Sequence, residues 1–179
     1  KILAGKKLEV TPSIGDINNT IKASSTVKDF ETMLQAVNLY ITSPRRDEAL
    51  FNAYKEKQVS MVQFISSNPR AAFMDTMVKT LYNNNPLARM VFPKAADYDK
   101  LNLDRSLEIY KNEFGSADGY HFFIVGNIKP ETALPLILTY LGSIPANNKP
   151  VAFKDNGVRP VKGNKELKIK KGKEKQSMI

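Results

Sequence analysis

Apolar and polar residues alternate from the start of the chain: Leu8-Glu9-Val10-Thr11-Pro12-Ser13-Ile14 has the period of a half-buried strand. Gly15-Asp16 then supplies a turn before Ile17 to Ala23, so the simplest prediction is a hairpin. The period next changes. Phe30, Met33, Leu34, Val37, Tyr40 and Ile41 fall on one helical stripe, with Ser24-Ser25-Thr26 as candidate caps and Pro44 as the stop. Asp47 is placed to cap a second helix, in which Leu50, Phe51, Tyr54, Val62 and Ile65 recur less cleanly. Asn68-Pro69, a cap followed by a proline in the first turn, opens a third helix through Phe73, Met77, Val78 and Leu81, and Asn83-Asn84-Asn85-Pro86 ends it.

An irregular stretch through Pro93 follows, and Asp104 is then read as the cap of a helix carrying Leu107, Tyr110 and Phe114. Gly115 to Gly119 breaks that helix. Tyr120 to Val125 has the length and the aromatic and β-branched content of a buried strand, closed by Gly126-Asn127. Pro130-Glu131 starts a last helix, Ala133 to Leu141, with Gly142 at its C-terminal end and Pro145 beyond. No internal repeat occurs at solenoid periods.

Beyond Pro145 the periodicity is lost. Residues 146–165 are rich in Pro, Asn, Gly and Lys, the composition of a linker, and residues 166–179 read as a strand, a Gly172 turn and the opening of another strand at Ser177-Met178-Ile179. The predicted organisation is therefore a domain over 1–145, a linker over 146–165 and the start of a following domain over 166–179. The chain begins at Lys1 without methionine and at Ile2 is already in folded-looking sequence, so its start reads as a cut.

Composition narrows the function. Of 179 residues, 42% are hydrophobic, which is ordinary for a globular chain, and no apolar run is long enough for a membrane span, so the chain reads as soluble. The net charge of +9 raises the question of nucleic acid. It is concentrated in the tail: from Lys149 onward there are 10 basic and 3 acidic residues, leaving 17 and 15 before it. The lysines from Lys165 to Lys175 could neutralise phosphates, but no aromatic is interleaved with them to stack bases.

The supply of catalytic groups is poor. With no cysteine, disulfides and thiolate chemistry are excluded, which leaves oxidising and reducing compartments both open. His121 is the single histidine, whereas a hydrolytic zinc usually takes three protein ligands rich in imidazole. It is read as a strand residue without chemistry. No Gly-x-Ser-x-Gly elbow, Walker loop or Gly-x-Gly-x-x-Gly fingerprint occurs; Gly142-Ser143 follows a helix, and Gly126-Asn127 reads as a tight strand exit. The pairs Asp97 with Asp99 and Asp47 with Glu48 read as cap or solvated groups. Catalytic, cofactor-binding and metal residues are accordingly expected to be none.

The run Tyr120-His121-Phe122-Phe123-Ile124-Val125-Gly126-Asn127-Ile128-Lys129-Pro130-Glu131, with Pro135-Leu136-Ile137 and Tyr140-Leu141-Gly142-Ser143-Ile144-Pro145, resembles the end of a domain in the pitrilysin and insulinase family of zinc peptidases. Upstream, Ser24-Ser25-Thr26, Asp29 to Gln35 and Leu39 to Asp47 resemble the middle of that domain in the large bacterial members with four homologous domains. The resemblance covers Ile2 to Pro145. It implies an inverted zinc motif, His-x-x-Glu-His, with a further glutamate on a later helix in the active domain. Here the motif is absent, and Val59-Ser60-Met61-Val62-Gln63-Phe64 has no carboxylate where the later ligand would fall.

The resemblance thus implies a non-catalytic sister domain, the third of four, whose first strands and helices precede Lys1. The family's substrate-contacting Arg and Tyr pair would lie beyond Ile179. The implied fold is α/β of the α+β type, an antiparallel-rich mixed sheet with helices packed on one face. The implied role is an inactive structural domain that helps form the substrate-enclosing chamber of a zinc-dependent metalloendopeptidase. Its partners would be other domains of the same polypeptide and the parent's peptide substrates, with no nucleic acid and no membrane. Zinc would sit in the parent and not in this segment. For the parent, periplasm or cell envelope is favoured over cytoplasm. Two other classes remain: a stand-alone scaffold or assembly module without catalysis, and a nucleic-acid binder acting through the basic tail. The expected core is Phe30, Leu34, Val37, Phe122, Ile124, Val125, Leu136 and Leu141.

Overall fold

A computed structural model describes residues 3–15, 17–88, 92–147 and 152–170. The chain divides into two compact units, one formed by Lys1–Arg46 with Leu103–Phe153 and the other by Asp47–Asn102 with Lys154–Ile179.

The first unit is built on a hairpin and three helices. Strands β1 (Leu8–Ile14) and β2 (Asn19–Ser25) pair antiparallel, with Leu8 opposite Ser25 and Ile14 opposite Asn19. The amide of Gly15 donates to the carbonyl of Asn18 at 3.1 Å to close the turn. A β-carbon at Gly15 would lie 2.5 Å from that carbonyl oxygen, so glycine is required there. The second strand starts at Asn19, two residues later than the pattern predicts, because Ile17 and Asn18 belong to the turn. Leu8 and Val10 then face inward while Glu9 and Thr11 face water, as the alternation requires.

Ser24 and Ser25 end β2 and cap nothing. Thr26 leads into a 3-10 turn, Val27–Asp29, and helix α1 (Phe30–Thr42) follows from it. The expected serine cap is replaced by this turn, in which the Asp29 carboxylate accepts from the Lys7 amide at 2.9 Å and from the Thr26 hydroxyl at 3.0 Å. Asp29 is the buried charged residue of the unit, and Lys6 stands 3.4 Å from it.

The apolar stripe of α1 organises the core. Phe30, Met33, Leu34, Val37 and Ile41 are buried and pack with Ala133, Leu141 and Ile144, which come from helix α6 (Pro130–Tyr140) and the residues after it. Leu8, Val10 and Ile21 of the hairpin pack against the same cluster, so strand and helix faces share one core. Gly142 ends α6 closely: a β-carbon there would stand 2.5 Å from the Leu138 carbonyl oxygen. Helix α5 (Leu103–Phe114) contributes Phe114, which is fully buried, and its Tyr110 hydroxyl donates to the Tyr40 carbonyl at 2.9 Å. Asp104 lies inside the first turn of α5 and does not serve as its cap. It meets Arg46, whose Nε donates to it at 2.8 Å, while its charge suits the positive end of the helix.

The second unit is helical. Helix α2 (Glu48–Ser66) is capped by Asp47, which accepts from the Leu50 amide at 3.0 Å, and α3 (Pro69–Leu81) by Asn68, which accepts from the Arg70 amide at 2.8 Å. Both caps are those the sequence predicts. Asn83 and Asn84 take left-handed φ values of 50° and 56° to end α3, a conformation asparagine tolerates better than most residues. A short helix α4 (Ala95–Asp99) lies between Pro93 and α5, where no element is predicted, held by the Asp97 carboxylate reaching back to the Lys94 amide at 2.9 Å. At five residues it is too short for apolar periodicity to reveal.

The strand expected at Tyr120 to Val125 does not form: these residues carry no regular structure. Phe122, Phe123, Ile124 and Val125 are 44%, 88%, 41% and 98% exposed, so three members of the expected core, Phe122, Ile124 and Val125, lie outside it. A strand exists only with a neighbour to accept its hydrogen bonds, and no described strand adjoins this one. The other expected core residues hold: Phe30, Leu34, Val37 and Leu141 are buried, and Leu136 is partly so. Residues 166–170 form no strand, and the Gly172 turn and the strand at Ser177-Met178-Ile179 lie outside the described residues.

Candidate functional site

An open polar cleft of about 810 Å³ lies where the hairpin turn meets the end of α5. Asn19 Nδ2 donates to the Glu113 carboxylate at 2.6 Å, tying β2 to α5. The Asp118 carboxylate accepts from the Ser116 hydroxyl at 2.7 Å and from the Asn147 amide at 3.0 Å, which fixes the loop after α5 against the chain that leaves α6. Tyr120 lines the cleft and points its hydroxyl at the Glu113 carbonyl, 3.5 Å away.

Burial pushes the Tyr120 phenol up to about 12, and the nearby Tyr110 and Glu113 add to the shift. Burial also raises Tyr110, with Tyr40 contributing. A phenol so reluctant to ionise is no general base near neutral pH. The carboxylates beside it accept from amide and hydroxyl donors. The arrangement is a set of structural ties. Its members were hidden in sequence because the Gly115 to Gly119 segment signals only a break, and the bonds join residues far apart in the chain.

The sequence-selected chemical residues do not converge. His121 is exposed. Asp47 caps α2, and Asp97 is held by the Lys94 amide and by Lys100 at 3.2 Å, with its carboxyl below the usual aspartate range mainly through the amide bond. Gly126 is exposed, a β-carbon there would meet nothing within 4 Å, and it follows no described strand. Ser143 Oγ contacts the Tyr140 carbonyl and Asn38, with no base beside it. In the tail, Lys168 stands 3.9 Å from Glu166, both exposed, while Lys171, Lys173 and Lys175 lie outside the described residues.

Zinc fits none of these groups. The described residues hold no cluster of three or more His, Cys, Asp or Glu side chains able to grip a metal ion. In α2, Met61 and Phe64 are 53% and 79% exposed.

Residues 100–179 match the family model described as "Peptidase M16 inactive domain". That segment is similar to the non-catalytic domains of zinc peptidases of the pitrilysin and insulinase type. The chain is 29% identical over 124 residues to a "Zinc protease PQQL-like" protein of Arabidopsis thaliana, covering 69% of this chain and 13% of that one. It is 24% identical over 152 residues to the "Probable zinc protease PqqL" of Escherichia coli (strain K12), covering 83% of this chain and 16% of that one. In three dimensions it is similar to the ferredoxin protease FusC, solved in complex with Arabidopsis ferredoxin, with a TM-score of 0.68 and 12% identity over 88% of this chain and 17% of that one. The likeness to FusC gives the fold: a mixed α+β domain of the metallopeptidase kind. The matched family segment is of the inactive kind, a non-catalytic domain among zinc peptidases. The chain spans about a sixth or less of the length of each of these relatives. No helix among the described residues is long and apolar enough to cross a membrane.

Proposed function

We propose that the chain is a structural, non-catalytic domain of a larger zinc metalloendopeptidase and helps wall the chamber in which peptides are cut. The observation that carries this reading is the match of residues 100–179 to the inactive-domain model. The donor supply agrees with it, since one imidazole and no thiol cannot hold a hydrolytic zinc. In this reading residues 1–145 are the wall domain, 146–165 a linker and 166–179 the start of the next domain. The zinc sits in another domain of the same polypeptide, peptides are its substrates, and the parent works in the periplasm or cell envelope. The chain's own residues contribute a stable scaffold and no reacting group.

The test has two arms. Purified chain dialysed against a weak chelator is assayed for bound zinc by elemental analysis and for cleavage of a quenched fluorescent peptide. The full-length polypeptide is assayed in the same way. The reading requires less than stoichiometric zinc and no cleavage from the chain, with both present in the full-length polypeptide. Stoichiometric zinc held on His121 within one copy, or a full-length polypeptide unable to cleave, overturns it.

A further inference from the structure

Asn156-Gly157 is the only Asn-Gly pair in the sequence. Both residues are exposed and lie in neither helix nor strand, and Gly157 has a φ of +71°. Asparagine is a labile residue, and a following glycine leaves it most open to attack, because no side chain hinders the glycine nitrogen as it approaches the carboxamide. The reaction ordinarily begins when hydroxide removes the glycine amide proton. Here the chain has groups of its own around each reacting atom.

The Gly157 amide donates to Asp155 Oδ1 at 2.9 Å, so a carboxylate already holds the proton that must leave. The Val158 amide donates to Asn156 Oδ1 at 3.1 Å. That bond draws electrons from the carbon to be attacked and steadies the charge that gathers on its oxygen. Arg159 grips Asp155 with both terminal nitrogens, Nη1 reaching Oδ1 at 3.0 Å. The pair fixes the carboxylate in place and offsets its charge, which would otherwise oppose an anion on the neighbouring nitrogen.

We infer that Asn156 is a self-modification site, converted through a succinimide to aspartate and isoaspartate with Asp155 as the base. The Gly157 nitrogen bonds to Asn156 Cγ as its proton passes to Asp155. The Cγ–Nδ2 bond then breaks, and Nδ2 leaves as ammonia with that proton. Water adds to either imide carbonyl and opens the ring, so the atoms balance without an added oxidant or cofactor. The isoaspartyl product runs the backbone through the β-carbon, and the turn closed by the Val158 amide is lost. Val158 and Val161 are the half-buried residues of an otherwise exposed stretch, 152–168, and the Val161 amide donates to the Leu81 carbonyl at 2.7 Å at the end of α3. Rearrangement therefore loosens this stretch from α3.

Peptide mapping by mass spectrometry tests it, on the folded chain held at a series of pH values beside a synthetic peptide of residues 155–162. At pH 7 Asn156 should be converted to the carboxyl form at least about tenfold faster in the folded chain than in the peptide. Asn164, equally exposed but followed by lysine, should stay intact over the same period. The rate in the folded chain should climb less than in proportion to hydroxide, because Asp155 takes its place. Asp155→Ala should bring both the rate and its pH dependence to those of the peptide, as should urea that unfolds the parent chain. Trypsin should cut the isoaspartyl fraction at Lys162 sooner than the unmodified chain. A folded chain that reacts no faster than the peptide overturns the inference, since its hydrogen bonds would then lock the amide instead of activating it. So does an Asp155→Ala variant that keeps the parent's rate and pH profile, and equal cutting of the two fractions overturns the loosening.

Discussion

Asn38 donates its side-chain amide to the Tyr140 carbonyl at 2.7 Å, joining α1 to the last residue of α6 across 102 positions of sequence. The Tyr140 hydroxyl extends the junction by donating to Glu31 at 2.9 Å and accepting from Gln35 at 2.9 Å. Glu31, Gln35 and Asn38 recur at intervals of four and three, so α1 carries a polar stripe beside its apolar one, and one tyrosine reads it. Asn38→Ala should lower stability by about 1 kcal/mol, the net worth of one ordinary hydrogen bond with its carbonyl left to water. Urea titration of the variant should show a lower midpoint with an unchanged slope.

Leu34 and Val125 were both expected in the core, yet Leu34 is 2% exposed and Val125 is 98% exposed. Leu34→Ala empties space between α1 and α6 and should cost about 2–5 kcal/mol. Val125→Ala removes nothing packed and should fall within about 0.5 kcal/mol of the parent chain. Parallel chemical denaturation of the two variants checks both values, and a large loss at Val125 would mean that the 121–127 segment is packed in solution.

The contrast shows which parts of the fold were legible in the sequence. The α1 stripe, the Asp47 and Asn68 caps and the β1 alternation are local signals, set by period and by side chains reaching their own backbone, and each appears where the pattern places it. Tyr120 to Val125 carries strand composition, but a strand is a relation between segments and composition cannot supply the neighbour. The cleft was unreadable for a similar reason. Its ties, such as Asn19 to Glu113 and Asp118 to Asn147, join residues 94 and 29 positions apart through single polar contacts that leave no period behind.

Tyr120 should betray its surroundings on titration. Its phenol is pushed up to about 12 from the ordinary 10.0, so between those values the unfolded chain gives up this proton while the folded chain keeps it. Folding is then opposed: stability attributable to Tyr120 is intact below about pH 10 and falls as pH rises toward 12. Ultraviolet difference titration of the chain against Tyr120→Phe should remove one late-ionising phenol, and the variant should lose less stability between pH 9 and about pH 11. A phenol ionising near 10 would show that the pocket around Tyr120 is open to water.

Asp29 should govern the acid limb of stability. The Lys7 amide holds its carboxyl below the ordinary aspartate value of 3.8, with Thr26 and Lys6 acting in the same direction and burial opposing them. A depressed carboxylate contributes stability that is complete above the unfolded value and is lost as pH falls through the folded one. Asp29→Asn should therefore destabilise the chain at pH 7 and narrow its deficit against the parent as pH drops below about 4, where the parent's own carboxylate becomes protonated. Both carboxamide and carboxyl keep the shape, but the carboxamide loses the ion pair to Lys6 and accepts only through one oxygen, so the deficit at neutral pH reports the charge. Denaturation midpoints of the two proteins measured at pH 7, 5 and 3 decide the matter. A deficit that stays constant across that range would place the importance of Asp29 in its packing and not in its ionisation.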